Sequence, residues 1–227
     1  MAKKGNKTED QFAQIEDTLS KTEQYIEKNQ KKITQVVGAI IGVIALFVAY
    51  QNLYMKPLEK EAQIEMFMAE LYFQKDSFNL ALNGDGQYLG FIDIADEYSS
   101  TKSGNLANYY AGVSYLNSGD FDNAIEYLKD FSSDDIVFSA LALGCIGDAY
   151  MQLSDTENAL SYYEDAANYS DNKFTAPRYM FKRAMILERN GEFEDALELY
   201  TEIKEEYKAS REAQDIEKYI SRAENSL

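Results

Sequence analysis

The chain has 227 residues and a formal net charge of −17, with 22 Lys and Arg side chains against 39 Asp and Glu. It contains no histidine and a single cysteine, Cys145. Without histidine, the commonest general base and the commonest zinc ligand are both missing, and one cysteine cannot form an intrachain disulfide. Ser-His and Cys-His catalytic sites are therefore excluded. The excess of negative charge also disfavours nucleic acid and anionic lipid as ligands.

The first 32 residues form a nearly neutral segment, with seven lysines against six acidic residues. Phe12, Ile15, Leu19 and Ile26 give it a short heptad-like apolar stripe. Because about two heptads are too few for a coiled coil, this stripe predicts a juxtamembrane amphipathic helix instead. We expect residues 1–32 to be a cytoplasmic amphipathic tail.

Ile33–Met55 is a run of 23 residues without a charge, preceded by Lys28, Lys31 and Lys32. About 20 apolar residues in a helix cross a hydrocarbon core of about 30 Å, so the run predicts one transmembrane helix. A cleavable signal peptide does not fit, because this apolar region is too long and no small-residue cleavage site follows it. A buried core helix is the other alternative, but Val36–Val48 is apolar on every face, where a surface helix would show an apolar stripe. The lysines before the run predict a cytoplasmic N-terminus, with the rest of the chain across the membrane.

Gly38 and Gly42 form a Gly-x-x-x-Gly pair within this apolar run. Small residues at this spacing let membrane helices pack closely, although glycine is also frequent in such helices in general. We therefore predict that Gly38 and Gly42 form a helix-packing face.

Three later segments share one pattern of small and large residues. Each has a small residue, a large residue three positions later, an alanine twelve positions after the small one, and a second large residue four further on. The sets are Gly112, Tyr115, Ala124 and Leu128; Gly147, Tyr150, Ala159 and Tyr163; and Ala184, Leu187, Ala196 and Tyr200. The pattern resembles the tetratricopeptide repeat, a helix–turn–helix unit of about 34 residues. Small residues let the two helices approach, and large residues fill the remaining space.

An earlier, fourth copy is predicted from Ala69, Tyr72, Phe78 and Ala81, which match the same offsets. It carries about nine surplus residues at Asn83-Gly84-Asp85-Gly86, before a helix predicted around Gln87–Tyr98. This loop has too few carboxylates for a calcium site, so we predict a turn or a partner contact there and no bound metal or cofactor.

The resemblance implies an all-α fold: one transmembrane helix, then an α-solenoid of about four hairpins, because a single repeat cannot bury its own faces. We predict a repeat domain over residues 57–227, with repeats at 62–99, 105–138, 140–173 and 177–210. A capping helix is predicted at 209–223.

In a tetratricopeptide array the first helix of each hairpin lines a groove. The helix phase places twelve residues there: Tyr109, Tyr110, Val113, Asn117, Cys145, Asp148, Met151, Gln152, Arg178, Phe181, Lys182 and Met185. Aromatic side chains beside amides, with a basic end, suit an extended peptide or a partner helix. The alternative is that many of these residues pack between repeats. The C-terminal carboxylate clamp of some tetratricopeptide domains is not expected, because only Arg178 and Lys182 match it.

The order of short tail, single anchor and acidic repeat domain resembles the ancillary subunit of the bacterial SecYEG translocon and a related periplasmic coordinator of cell division. The resemblance implies a single-pass protein of the bacterial inner membrane with a periplasmic repeat domain. Translocon subunits, exported chains or periplasmic chaperones are the implied partners. An envelope-assembly or cell-division organiser is the alternative. An enzyme is disfavoured, because no nucleophile motif or cofactor loop is present, so no small-molecule substrate is expected.

Overall fold

The structure, a computed structural model, describes the backbone of residues 7–170 and 172–227, and the side chains of residues 23–170 and 172–227. Every regular element in these residues is helical, which confirms the predicted all-α fold. The chain divides into two compact units, one ending at Pro57 and the other comprising Leu58–Leu227.

The first unit contains one long helix, α1 (Lys7–Tyr50), followed by a π-helical turn at Gln51–Met55. No helix break separates the predicted tail from the predicted span. The apolar stripe predicted for the tail lies mostly outside the described side chains, and Met1–Asn6 are not described at all. The π-helical turn ends two residues before Pro57, which lacks an N–H and whose ring would clash with the carbonyl four residues earlier in an ordinary α-helix.

The helical run Glu23–Gln74 is the only one, among residues whose side chains are described, that is long and apolar enough to span a membrane. Its most apolar window has a mean hydropathy of 2.2, and none of that window is buried. Around Gly38 and Gly42, an added Cβ would meet no other atom within 4 Å. Helix packing at these two glycines stays a prediction.

The second unit is built from helical hairpins, as the repeat pattern predicts. The first hairpin pairs α2 (Lys56–Gln74) with a second limb that is divided into α3 (Phe78–Asn83) and α4 (Phe91–Glu97). The other three hairpins are α5 (Lys102–Ser118) with α6 (Phe121–Asp130), α7 (Ile136–Gln152) with α8 (Thr156–Asn168), and α9 (Ala176–Asn190) with α10 (Phe193–Glu206).

The helix predicted around Gln87–Tyr98 is present as α4, but it begins at Phe91, four residues later than predicted. The Asp85 carboxylate accepts the backbone N–H groups of Gln87 and Tyr88, each at 2.9 Å, and also the Tyr72 hydroxyl at 2.7 Å. These bonds hold the residues after Asp85 in a turn, as expected of a side chain that competes with the helical backbone.

All four hairpin turns have the same backbone geometry. Each has one residue of positive φ: Asp76 (55°), Gly119 (84°), Ser154 (62°) and Gly191 (87°). The next residue then donates its N–H to the carbonyl five positions earlier, in the pairs Ser77–Tyr72, Asp120–Tyr115, Asp155–Tyr150 and Glu192–Leu187. This is the Schellman arrangement of a helix C-terminus. The first hairpin shares this turn, and its identity as a fourth copy of the repeat stays a prediction.

The small residues of the pattern allow close helix contact, as predicted. A Cβ on Gly112 would lie 2.5 Å from Leu128 Cγ, and one on Gly147 would lie 2.8 Å from Tyr163 Cδ1. The pattern alanines Ala124, Ala159 and Ala196 are fully buried. The α5–α6 and α7–α8 hairpins therefore close through the large residue that follows the small residue by sixteen positions.

A short helix covers the end of the last hairpin, but it begins later than predicted. After α10, the chain forms a 3₁₀ turn at Glu212–Asp215 and then α11 (Ile216–Glu224). The hydroxyl oxygen of Ser210 accepts the Ala213 N–H at 3.1 Å, which fixes the start of the 3₁₀ turn. Ile216 and Ile220 are buried in one apolar cluster with α9 and α10. This helix thus closes the open face of the last hairpin.

Candidate functional site: the first-helix face

The first-helix face is the surface formed by α5, α7 and α9. At its centre the Asp148 carboxylate accepts two hydrogen bonds of 2.5 Å, from the Tyr163 hydroxyl and from the Lys182 Nζ. Lys182 also forms an ion pair with Asp148, and each side chain keeps about a third of its surface exposed (31% and 34%). The pair is therefore formed within the protein but still reachable by a partner.

Two tyrosine rings form the wall behind this ion pair. Tyr163 and Tyr179 stack with centroids 6.1 Å apart, and the Lys182 Nζ lies 5.4 Å and 5.8 Å from their centroids. Tyr179 sits against Gly144, where an added Cβ would lie only 2.0 Å from the ring. Tyr179 was not among the predicted site residues. The available signal was Gly144, a second glycine one helical turn before Gly147.

The electrostatics of the face suit binding and offer no activated nucleophile. Burial, and then the Asp148 charge, raise the pKa of the Cys145 thiol to about 11. Burial likewise raises the pKa values of Tyr109, Tyr163 and Tyr179. Cys145 is therefore protonated at neutral pH, and a protonated thiol is neither a good nucleophile nor a good metal ligand.

Tyr109 and Tyr110 make their main contacts within the protein. Tyr109 lies beside Phe131 and Phe138, with ring centroids 5.2 Å and 5.4 Å away. Tyr110 stacks on Phe91 at 5.1 Å and belongs to the core of the first hairpin. The alternative that groove residues pack between repeats thus describes both side chains, because Tyr109 contacts Phe138 of the next hairpin and Tyr110 contacts Phe91 of the previous one.

The other predicted residues of α5 and α7 do not join the Asp148 ion pair. Asn117 is exposed and donates its amide to the Val113 carbonyl of its own helix at 2.7 Å. Gln152 is exposed, and Met151 packs against the apolar cluster around Ala159. The exposed Asn117 and Gln152 therefore make the ends of α5 and α7 polar.

Arg178, Phe181, Lys182 and Met185 line a cleft of about 750 Å³ at the C-terminal end of the face. Sequence reasoning missed the rest of its lining, which is Lys173, Phe174, Ala209, Ser210, Arg211, Glu212, Asp215 and Tyr219. Most of these residues come from irregular segments before α9 and after α10, where helical periodicity gives no signal.

The side chains described from residue 23 onward contain no group of three or more Cys, Asp or Glu that is arranged to hold a metal ion. The described geometry thus consists of ion pairs, aromatic rings and open clefts. Such a surface can bind a polypeptide through charge, stacking and apolar contact.

A family model described as "Tetratricopeptide repeat" matches residues 109–173 and, overlapping them, residues 146–211. The two matches together span residues 109–211 and support helical repeats of the tetratricopeptide kind there. A solved structure of a Podospora anserina protein described as a kinesin light chain with nearly identical TPR-like repeats matches with a TM-score of 0.54. It is 13% identical, and the match covers 74% of this chain and 87% of that one, so the likeness concerns the fold alone. No curated protein matches this chain.

Proposed function

We propose that the chain is a membrane-tethered scaffold for protein–protein interaction, whose first-helix face holds a segment of a partner. Tetratricopeptide repeats are protein-interaction modules, which supports the binding role. The observation that carries the proposal is the Asp148–Lys182 ion pair, which stands a third exposed beside the Tyr163 and Tyr179 rings. Tyr163 and Tyr179 are themselves buried (3% and 2% exposed), so they hold the ion pair in place, and the exposed charges discriminate among partners by complementarity.

The tether is proposed on the exposed apolar run in α1. Its large side chains are exposed on every side, for example Ile41 (61%), Val43 (67%) and Leu46 (73%). A soluble protein rarely exposes so continuous an apolar surface, whereas a lipid-facing helix requires it. With the lysines before the run, this supports a cytoplasmic N-terminus and an exported repeat domain in a bacterial inner membrane.

For partners, we propose translocon subunits, exported chains or periplasmic chaperones. The alternative is an envelope-assembly or cell-division organiser that has no link to translocation. Purification of the full chain in mild detergent separates the two proposals. Recovery of translocon subunits supports the first, and recovery of division or envelope proteins without them supports the second.

The binding face is tested by photo-crosslinking in intact cells. A benzoylphenylalanine placed at Gln152 or Arg178, both exposed on first helices, is expected to crosslink to a protein partner. Matched positions on second helices, Asp122 and Glu194, are also exposed and are expected to give at most one fifth of that yield. Crosslinks that arise only from α1 would move the function to the anchor and refute a role of the first-helix face.

A further inference from the structure

The C-terminal cleft is the 750 Å³ space between α9 and the segment from Ala209 to Asp215. Part of its lining is an aromatic pair, in which Phe181 meets Tyr219 edge to face with centroids 4.7 Å apart. The cleft lies within one compact unit, and the 3₁₀ turn that borders it contacts α9 directly. The cleft is therefore formed by the last hairpin together with the 3₁₀ turn and the helix that follow it.

Phe174 lines the cleft and is 62% exposed. The Asn172 side chain accepts the backbone N–H groups of Phe174 and Thr175 at 3.0 Å and 2.7 Å, and it donates to the Thr175 hydroxyl. Thr175 itself is fully buried. The phenyl ring is therefore held at the surface by its backbone, and Met185 adds a second exposed apolar side chain (46%) in the same cleft.

The cleft also gathers basic side chains on a chain of net charge −17. Lys173, Arg178 and Arg211 line it, and none of them forms an ion pair with any residue whose side chain is described. Glu212 and Asp215 contribute two acids to the lining. The unpaired cations nevertheless stand beside the apolar rings, so a ligand that reaches the rings also meets them.

We propose that the C-terminal cleft binds an internal peptide segment in which acidic side chains flank an aromatic or aliphatic side chain. The apolar side chain would pack on Phe174 and Met185, and the carboxylates would pair with Arg178 and Arg211. Arginine forms bidentate hydrogen bonds with carboxylates, and basic side chains at an open cleft favour the association of an acidic peptide. This inference rests on the proposed protein-binding function and names the chemistry of the partner.

The test is a selection of peptides on the full-length chain held in nanodiscs. A phage-displayed library of random twelve-residue peptides is panned, and enriched sequences are synthesised with an amidated C-terminus so that only side-chain carboxylates remain. Their dissociation constants are then measured by fluorescence anisotropy. We expect enriched peptides to combine Asp or Glu with an apolar residue, and their binding to weaken at least fivefold when salt rises from about 50 to 200 mM.

Matched variants locate the bound peptide. Phe174→Ala and Arg178→Glu are each expected to weaken binding at least tenfold. Phe67→Ala removes an equally exposed ring (65%) outside the cleft, and Arg189→Glu reverses an exposed charge elsewhere on α9, so both should change binding less than twofold. Circular dichroism melting curves show that each variant is folded.

Three results would overturn the cleft proposal: no enriched peptide, enriched peptides without acidic residues, or binding that the Phe174 and Arg178 variants leave unchanged. If enriched peptides instead lose affinity in Gln152→Ala and keep it in Phe174→Ala, the α7 part of the first-helix face binds them and the cleft does not. Failure of the in-cell crosslinks at Gln152 and Arg178 would refute the broader function separately.

Discussion

At the scale of single residues, the packing of Tyr179 on Gly144 joins the third and fourth hairpins. An alanine at position 144 would place its Cβ 2.0 Å from Tyr179 Cε1 and Cζ, a distance that requires the ring to move. Alanine favours the helix by up to about 1 kcal/mol, whereas overpacking a core costs about 1–3 kcal/mol. We therefore expect Gly144→Ala to lower the free energy of unfolding by about 1–2 kcal/mol, measured by urea titration with near-ultraviolet circular dichroism.

Gln152→Ala is the control for this substitution, because Gln152 is exposed on the same helix. Its effect should stay within about 0.5 kcal/mol, as for most surface changes. If Gly144→Ala unfolds at the same urea concentration as the wild type, Tyr179 does not require the glycine and the contact is not a determinant of stability.

A second residue-scale prediction concerns pH and Glu188 at the end of α9. Its carboxylate accepts hydrogen bonds from the Arg222 guanidinium and from the Tyr200 hydroxyl, the latter at 2.9 Å. The Arg222 contact holds the pKa of Glu188 below its ordinary value, with help from Tyr200 and against the opposing effect of burial. A lowered pKa stabilises the fold above the unfolded-state pKa of about 4.3, and this stabilisation is lost as the pH falls further.

Glu188→Gln should therefore lower the free energy of unfolding by about 1 kcal/mol at pH 7, a modest value because Arg222 is half exposed. The difference from the wild type should shrink as the pH falls below about 4.3. Unfolding midpoints of both proteins over a pH series measure it. Glu194→Gln removes an exposed carboxylate on α10 and, as the control, should change stability by no more than about 0.5 kcal/mol at pH 7. A stability difference between the two proteins that grows as the pH falls would contradict the lowered pKa of Glu188.

At the scale of the elements, two of the second helices begin with the same Asp-x-x-Asn cap. Asp155 accepts the Asn158 backbone N–H at 3.2 Å and the Asn158 side-chain amide at 2.7 Å. Asp120 and Asn123 repeat this geometry at the start of α6, whereas Glu192 before α10 makes no such cap bond. The longer glutamate side chain thus leaves the start of α10 without a side-chain cap.

We expect Asp155→Ala to destabilise the protein by about 1 kcal/mol, the usual effect of losing an N-cap. Glu192 is at the equivalent position of the next hairpin. Its substitution Glu192→Ala should change stability by less than about 0.5 kcal/mol, because no cap hydrogen bond is lost. Urea titrations of the two variants provide the comparison. Equal destabilisation by both would show that charge at the helix end, and not the hydrogen bond, provides the stabilisation.

The helical hairpins could be predicted because their contacts are encoded within a short stretch of sequence. Gly112 meets Leu128, and Gly147 meets Tyr163, so each contact lies inside one repeat and recurs with it. The start of α4 could not be predicted in the same way. It depends on the Asp85 side chain capturing backbone N–H groups, which competes with a helix in a manner that periodicity does not register.

The candidate site was predictable only in part, for the same physical reason. Helix phase brought Asp148 and Lys182 onto one face, but their contact crosses between repeats, as does that of Tyr179 with Gly144. The C-terminal cleft depends on the Asn172 loop and on the 3₁₀ turn after Ser210. Such irregular segments follow local side-chain hydrogen bonds, so their position in space cannot be read from a repeating pattern.

At the scale of the whole molecule, charge and apolar surface are segregated along the chain. The apolar surface is concentrated in α1, whereas residues 56–227 hold 15 Lys and Arg against 33 Asp and Glu. A strongly acidic domain stays soluble and repels anionic lipid headgroups. The proposed attachment to a membrane would then depend on the apolar run itself and not on electrostatic adhesion of the repeats.

We therefore expect the full chain to remain in the membrane fraction after washing with high salt and alkaline carbonate. Lysine near the centre of a transmembrane helix costs about 2.5–3.5 kcal/mol, so the double change Ile40→Lys with Ile44→Lys should release the chain into the soluble fraction. Ile64→Lys is the matched control: Ile64 is comparably exposed (65%) but lies in α2 outside the charge-free run, and its substitution should leave fractionation unchanged.

Protease added to spheroplasts should then digest the repeat domain if it lies in the periplasm, and N-terminal sequencing should find the tail intact before Ile33. Release of the wild-type chain by carbonate would refute the anchor. An N-terminus located after the apolar run would instead identify the run as a cleaved signal sequence, because a membrane anchor stays attached to the domain that it holds.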